Sequence, residues 1–222
     1  MDNVPLRLII TGTTGMVGEG VLHYALQHPD VGKILIINRK PLGLSHPKLT
    51  EIIHKDFYDL GPILQDLKGY NACFFCLGIS SIGISAEDYF KTTYTLTLYF
   101  AEILSKLNPE MYFCYISGAG TDTTEKGRSR WARVKGKTEN DLMKLPFAHV
   151  YAIRPGFIKA VPGLTKTNKL YNYFGWVFPI GRKLYPAGFV TMKELALAMI
   201  NLSKGFEKNI IEGRDLITLG KK

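Results

Sequence analysis

LRLIITGTTGMVGEGVLHYAL, residues 6–26, joins two hydrophobic patterns through a glycine-rich turn. Residues 6–10 are almost continuously apolar, as a strand is when helices cover both faces of its sheet. Beyond the turn the period changes. Val17, Val21, Leu22, Ala25 and Leu26 fall at the three- and four-residue steps of a helix with one buried stripe. Between the two lies TGTTGMVG, where Gly12, Gly15 and Gly18 form GxxGxxG. The first glycine permits the sharp turn, and the absence of side chains lets backbone approach a pyrophosphate. The helix start offers unpaired N–H groups and the positive end of a dipole. Gly12, Thr14, Gly15, Met16, Val17 and Gly18 are therefore expected to contact a dinucleotide. The plainer alternative is a turn that only packs a strand tightly against its helix.

The pattern repeats along the chain. GKILIINR, TEIIHKD, ACFFCLG, MYFCYISGAG and AHVYAIRPG read as further strands. Helical stretches, EDYFKTTYTLTLYFAEILSKL and SRWARVKGKTENDLMKL, precede the last two of them. Strand and helix in this alternation predict a Rossmann-type, doubly wound parallel sheet with helices on both faces. At 222 residues the chain suits one hydrophobic core, so a single NAD(P)-binding domain over residues 1–222 is expected. Residues 157–189, rich in aromatics, glycine and proline, read as an irregular insertion that forms a substrate or partner surface. A helix follows, opened by Thr191 and Glu194 in capping-box spacing, and IIEGRDLITL closes the chain as a strand or a pair of short strands.

The end of the second strand selects the cofactor. An acidic residue there would accept hydrogen bonds from the adenosine ribose of NAD, but the chain has Asn38, Arg39 and Lys40. Arginine binds a 2′-phosphate bidentately and stacks on adenine, so NADP is the expected cofactor. The alternative is that Arg39 and Lys40 only face solvent. Asp56 and Phe57, after the third strand, are placed to meet the adenine, although Asp56 would equally cap the following turn. Leu77 and Gly78, at the end of the fourth strand, leave room for the cofactor to pass.

These motifs together resemble the short-chain dehydrogenase/reductase superfamily in its atypical class. The likeness is to its small NAD(P)-binding proteins similar to the human Tat-interacting protein, more than to the longer sugar-nucleotide epimerases. TGTTGMVG, NRK, KDF, CFFCLG, ISGAG, WARVKGKTE and IRPGF carry the resemblance over essentially the whole length. It implies a serine, a tyrosine and a lysine beside the nicotinamide, with a Pro after the sixth strand at the cofactor. Matched position by position, the serine is Ser117, the lysine Lys135 and the proline Pro155. The tyrosine position holds Trp131, four residues before Lys135. An indole N–H donates a hydrogen bond but is no practical acid or base. Cofactor binding is thus expected, with hydride transfer to or from an unidentified carbonyl or alcohol; the alternative is an NADP(H)-binding regulatory or interaction protein without turnover. Tyr115 and Tyr151 lie inside strands and read as core, Tyr94 as a helix residue near the cleft, and His149 as a surface residue.

Other function classes fit less well. The net charge of +9 favours anionic partners, which a phosphate-bearing cofactor already satisfies. Arg128, Arg130, Arg133, Lys135 and Lys137 form a dense basic stretch, and Arg130, Arg133 and Lys137 would share one helix face. No base-reading module accompanies them, so nucleic acid is not expected as a partner. LYNYFGWVFPIGRKLYP mixes aromatics with cations as a membrane-surface segment does, but its prolines and glycines break the long helix such a segment needs. Cys73 and Cys76 sit in one apolar run, where strand geometry points them to opposite faces, so no metal is expected. With three cysteines and no leader-like start, the expected location is cytoplasmic, and a homodimer remains open.

Overall fold

The computed structural model describes residues 4–161, 163, 164 and 177–221. Seven strands form one sheet: β1 (Leu6–Thr11), β2 (Val31–Asn38), β3 (Leu49–Ile53), β4 (Ala72–Phe75), β5 (Tyr112–Ile116), β6 (His149–Arg154) and, late in the chain, a strand at Ile210–Glu212. Their order is β3-β2-β1-β4-β5-β6 with Ile210–Glu212 at the far edge, and every pairing is parallel. This is the doubly wound order, and its switch point lies between β1 and β4.

Alternation along the strands divides the core into two layers. Leu8, Ile10, Ile34, Ile36, Phe74 and Cys114 face one side; Ile9, Leu35, Ile37, Phe75, Phe113 and Tyr115 face the other. The first side is covered by α1 (Met16–Gln27), through Val21, Leu22, Ala25 and Leu26, and by helices from the end of the chain. The second side is covered by one long helical run. It consists of α2 (Ala86–Phe90), a π turn at Lys91–Thr95 and α3 (Leu96–Leu107), with Phe100, Ala101 and Leu104 fully buried. Tyr115 and Tyr151 are core residues, as their strand positions require. Cys73 and Cys114 lie on opposite faces of the sheet, and burial pushes both thiols well up.

Four expectations change. The 157–189 segment is not irregular throughout. Its ends form a second small parallel sheet, β7 (Phe157–Lys159) with β8 (Phe189–Thr191), and α5 (Val177–Leu184) lies between them. Pro179 falls in the first turn of α5, where no intrahelical partner for its nitrogen is needed, and Gly181 lets the helix press against the Phe189 ring. The aromatic residues Tyr171, Tyr173, Phe174 and Trp176 lie outside the described residues. At the end of the chain, only β9 (Ile210–Glu212) is a strand; Gly213, at φ +52°, turns the backbone into α7 (Arg214–Leu219). Leu216 and Leu219, three apart, bury on the α1 side, a helical spacing hidden within a short apolar run. His149 is half-buried: its ring stacks on Tyr151 at 4.3 Å, and burial lowers its pKa. Tyr94 donates its hydroxyl to Asp141 at 2.8 Å and so bridges two helices. The helix preceding β9, α6 (Met192–Leu202), has the expected capping box, with Glu194 N donating to Thr191 Oγ1 and Glu194 Oε2 accepting from Thr191 N.

The helix that carries Trp131 and Lys135, α4 (Arg130–Leu142), is fixed from below. Gly136 permits the approach, since a Cβ there would lie 1.8 Å from the Asp122 carbonyl oxygen. Three residues on, the fully buried Glu139 accepts from Arg154 Nε at 3.1 and 3.2 Å and from its terminal nitrogen. Arg154, at the end of β6, also donates to Thr123 Oγ1 at 2.7 Å. One ion pair therefore ties α4, β6 and the 121–123 loop together. Breaking such a pair strands a buried charge. Glu139→Ala is expected to lower the unfolding free energy by about 3–5 kcal/mol, read from urea unfolding of variant and wild type in parallel.

Candidate functional site

At the carboxyl ends of β1, β2 and β4 a cleft of about 390 Å³ opens over the switch point. Its floor is backbone. Gly12 takes φ +70°, a left-handed conformation that side chains resist, and a Cβ there would lie 2.6 Å from the Cys76 carbonyl oxygen. A Cβ on Gly18 would lie 2.3 Å from the Gly12 carbonyl oxygen. The loop is thus packed against β4 on one side and against its own helix on the other. Gly15 caps α1 in an extended conformation, with no side-chain hydrogen bond to the helix start.

Of the residues expected from the sequence, Gly12, Thr14, Gly15, Asn38, Arg39, Asp56, Phe57, Leu77 and Gly78 line this cleft. Gly18 is buried behind it, and Met16 and Val17 pack partly into the core under the first turn of α1. Lys40 is exposed and lies outside the lining. Asp56 accepts from Tyr58 N at 2.9 Å, so it does cap the following turn while still bordering the cleft. The rim also carries Lys55, Thr92 and Leu96, to which sequence reasoning gave no cofactor role. Thr92 and Leu96 stand four apart in the helical run, a spacing that marks one face without naming what it faces. Arg39 and Lys55 together give the rim two exposed cations against one carboxylate, Asp56.

A second group gathers at the ends of β5 and β6. Ser117 is buried, and its Oγ lies 2.7 Å from Thr121 Oγ1. Thr121 Oγ1 donates to the Gly118 carbonyl at 2.8 Å, so the hydroxyl proton between the two side chains comes from Ser117. Lys135 Nζ donates to the carbonyls of Ile116 and Ser117 at 3.2 and 3.0 Å and stands 5.3 Å over the Tyr115 ring. Trp131 is half-buried over the Gly118–Gly120 turn, where a Cβ on Gly120 would lie 3.6 Å from its ring. Pro155 is buried, and its carbonyl accepts from Ala119 N at 2.9 Å. Ser117, Trp131, Lys135 and Pro155 thus meet around one turn, while the Tyr115 hydroxyl is sealed in the core. Thr121, Gly136 and Glu139 support this group; of these the sequence gave only Glu139 a place, at the end of WARVKGKTE.

The basic stretch is dispersed. Arg130 donates to the Ser81 and Ile84 carbonyls, Arg133 to those of Gly127 and Arg128, and Lys137 pairs with Asp141 at 2.8 Å. With Lys135 on the Ile116 and Ser117 carbonyls, four of its five cations are thus spent on local structure. Among the described residues, no group of three or more His, Cys, Asp or Glu is arranged to hold a metal ion, and no helix is long and apolar enough to cross a membrane.

No protein-family model matches the chain. Curated relatives do. It is 24% identical over 192 residues to Protein FMP52, mitochondrial, of Meyerozyma guilliermondii, covering 82% of this chain and 80% of that one. It is 30% identical over 162 residues to Protein fmp52, mitochondrial, of Emericella nidulans, covering 68% and 66%. Among solved structures, a short-chain dehydrogenase from Burkholderia cenocepacia in complex with NADP superposes with a TM-score of 0.68 at 13% identity, over 100% of this chain and 93% of that one. The Helicobacter pylori ADP-L-glycero-D-manno-heptose-6-epimerase gives 0.67 at 16%, over 100% and 84%. The chain therefore shares the Rossmann-type fold of short-chain dehydrogenases and sugar-nucleotide epimerases. The expected cytoplasmic location is corrected by the fungal relatives, which are named as mitochondrial proteins. A low cysteine count reports a redox environment and carries no address.

Burial lowers the Lys135 pKa to about 8, against a smaller opposing effect of Glu139. The native state therefore resists the proton that the unfolded chain accepts up to its ordinary value near 10.5. Between about pH 8 and 10.5 the unfolded state binds more protons, so this group makes stability rise with pH across that window. Below about pH 8 its full cost is present. In Lys135→Met that rise is expected to flatten, as measured by urea midpoints from pH 7 to 10.5.

Proposed function

We propose that the chain is an NADP(H)-binding protein of oxidoreductase type, a single domain over residues 1–222 with the dinucleotide along the β1–β4 cleft. The observation that carries this reading is the glycine cradle joined to a cationic rim. Gly12 and Gly18 leave no room for a Cβ, so bare backbone and an uncapped helix start face the cleft. Where a ribose-binding carboxylate would follow β2, Arg39 stands instead, with Lys55 across the rim. Such a pair favours a 2′-phosphate. Asp56 and Phe57 border the position assigned to adenine, and Lys40 adds charge nearby. The resemblance of WARVKGKTE and IRPGF to the atypical short-chain dehydrogenases supports assigning the nicotinamide end to Ser117, Trp131, Lys135 and Pro155. That solved structures of this fold include complexes with NADP and with NAD supports a nicotinamide cofactor.

When bound, the cofactor supplies or accepts a hydride. In this reading Lys135 holds ribose hydroxyls, and the Ser117 oxygen and the Trp131 indole N–H orient a substrate oxygen. The indole is no practical general acid or base at neutral pH. That one residue favours a second reading, in which the chain binds NADP(H) and acts by assembly or signalling without turnover.

Titration with NADPH and NADH at one ionic strength tests the cofactor site. NADPH is expected to bind at least about tenfold more tightly, with most of that preference lost in Arg39→Ala, as removal of a charged hydrogen bond implies. Equal affinity would refute the NADP assignment, and no binding of either nucleotide would refute the cofactor site. Consumption of bound NADPH by any member of a carbonyl panel would decide between the two readings in favour of an enzyme.

A further inference from the structure

Behind the cationic rim runs a chain of buried and half-buried hydrogen bonds. Thr13 Oγ1 donates to Asn38 Oδ1 at 2.9 Å, and Asn38 Nδ2 donates to Glu51 Oε1 at 2.8 Å. The same Glu51 oxygen accepts from the backbone N of Leu42 at 2.9 Å. Thr13 belongs to the glycine loop, Asn38 ends β2, Glu51 stands in β3 and Leu42 lies in the turn that follows Arg39 and Lys40. Asn38 is buried, at 3% exposure, so its amide needs both partners. β3 is an edge strand, and Glu51 bonds from it to the end of the neighbouring β2 and to the loop that follows.

We infer that Glu51 is a positioning residue for dinucleotide selectivity: by gripping Asn38 and Leu42 N it holds the 39–42 turn so that Arg39 faces the cleft. This inference rests on the NADP(H) reading above. Two physical effects act together. The carboxylate fixes the backbone on both sides of Arg39, which reduces the freedom the guanidinium loses on meeting a phosphate. Its Oε1 atom is also occupied by two donors, so the acidic group nearest the end of β2 does not offer that oxygen to a ribose hydroxyl. A carboxylate that would otherwise favour NAD is turned inward to support the residue that favours NADP.

The experiment compares Glu51→Leu with Glu51→Gln, alone and combined with Arg39→Ala, by titrating each folded protein with NADPH and NADH. The readout is the ratio of the two dissociation constants, which a loss of folded fraction leaves unmoved because both nucleotides meet the same sample. A glutamine oxygen still accepts from Asn38 and Leu42, so Glu51→Gln is expected to keep the wild-type ratio within about twofold. Glu51→Leu, which strands both donors, is expected to reduce the NADPH preference about five- to tenfold, the range that one or two lost hydrogen bonds correspond to. In the Arg39→Ala background the same change should leave the ratio where Arg39→Ala alone puts it, because Glu51 acts through Arg39. A wild-type preference that survives Glu51→Leu overturns this inference and leaves the NADP(H) reading intact. An equal further loss in the Arg39→Ala background overturns it as well, because Glu51 would then act on the ligand independently. A wild-type protein without preference overturns both.

Discussion

Where β1 turns into α1, three stretches of backbone meet with no space for a single methyl group between them. The Gly12 carbonyl lies against Gly18, and Gly12 itself lies against the end of β4. Everything above the sheet follows from that contact. It sets how far α1 can sink toward the strands, and so which residues of its stripe reach the core. It also keeps the first turn of α1 level with the ends of β1 and β4, so the helix start opens into a cleft instead of onto solvent. A side chain at either position would force these backbones apart.

The parallel, doubly wound sheet was legible because the relevant signals are local. Continuous apolar runs mark strands covered on both faces, and a glycine triplet after the first of them marks the turn. What escaped the sequence was set by contacts far apart in the chain. RDLITL is apolar enough for a strand, and only Gly213 at positive φ and the α1-side core decide that it is a helix. β7 and β8 are three residues each, too short to carry a period, and they exist because they pair with one another across 29 intervening residues. His149 looked like a strand-start surface residue, and the stack on Tyr151 half-buries it.

At the candidate site the same division holds. Residues at the ends of β1 to β4 that line the cleft were readable, because their chemistry and their position after a strand point the same way. Those on the distant helical run were not. Thr92 and Leu96 reach the cleft only because the helix before β5 crosses over it. Near Trp131 the sequence marked the residue but not its surroundings. The indole rests on a glycine turn, Lys135 is fastened to two carbonyls, and a buried carboxylate-guanidinium pair holds the helix that carries both. A buried ion pair thus holds in place a helix whose Trp131 is itself no practical acid or base.

The order in which these parts leave the ribosome has a consequence of its own. Every described residue lining the cleft lies between Gly12 and Leu96. Yet the apolar stripe of α1, beneath that cleft, is covered by Met192, Leu195, Ala196 and Met199, which are made much later. During synthesis the described lining of this cleft is complete roughly 100 residues before its underside is covered. Until that helix is made, Val21, Leu22 and Ala25 have the strands to pack against but lack the later half of their core.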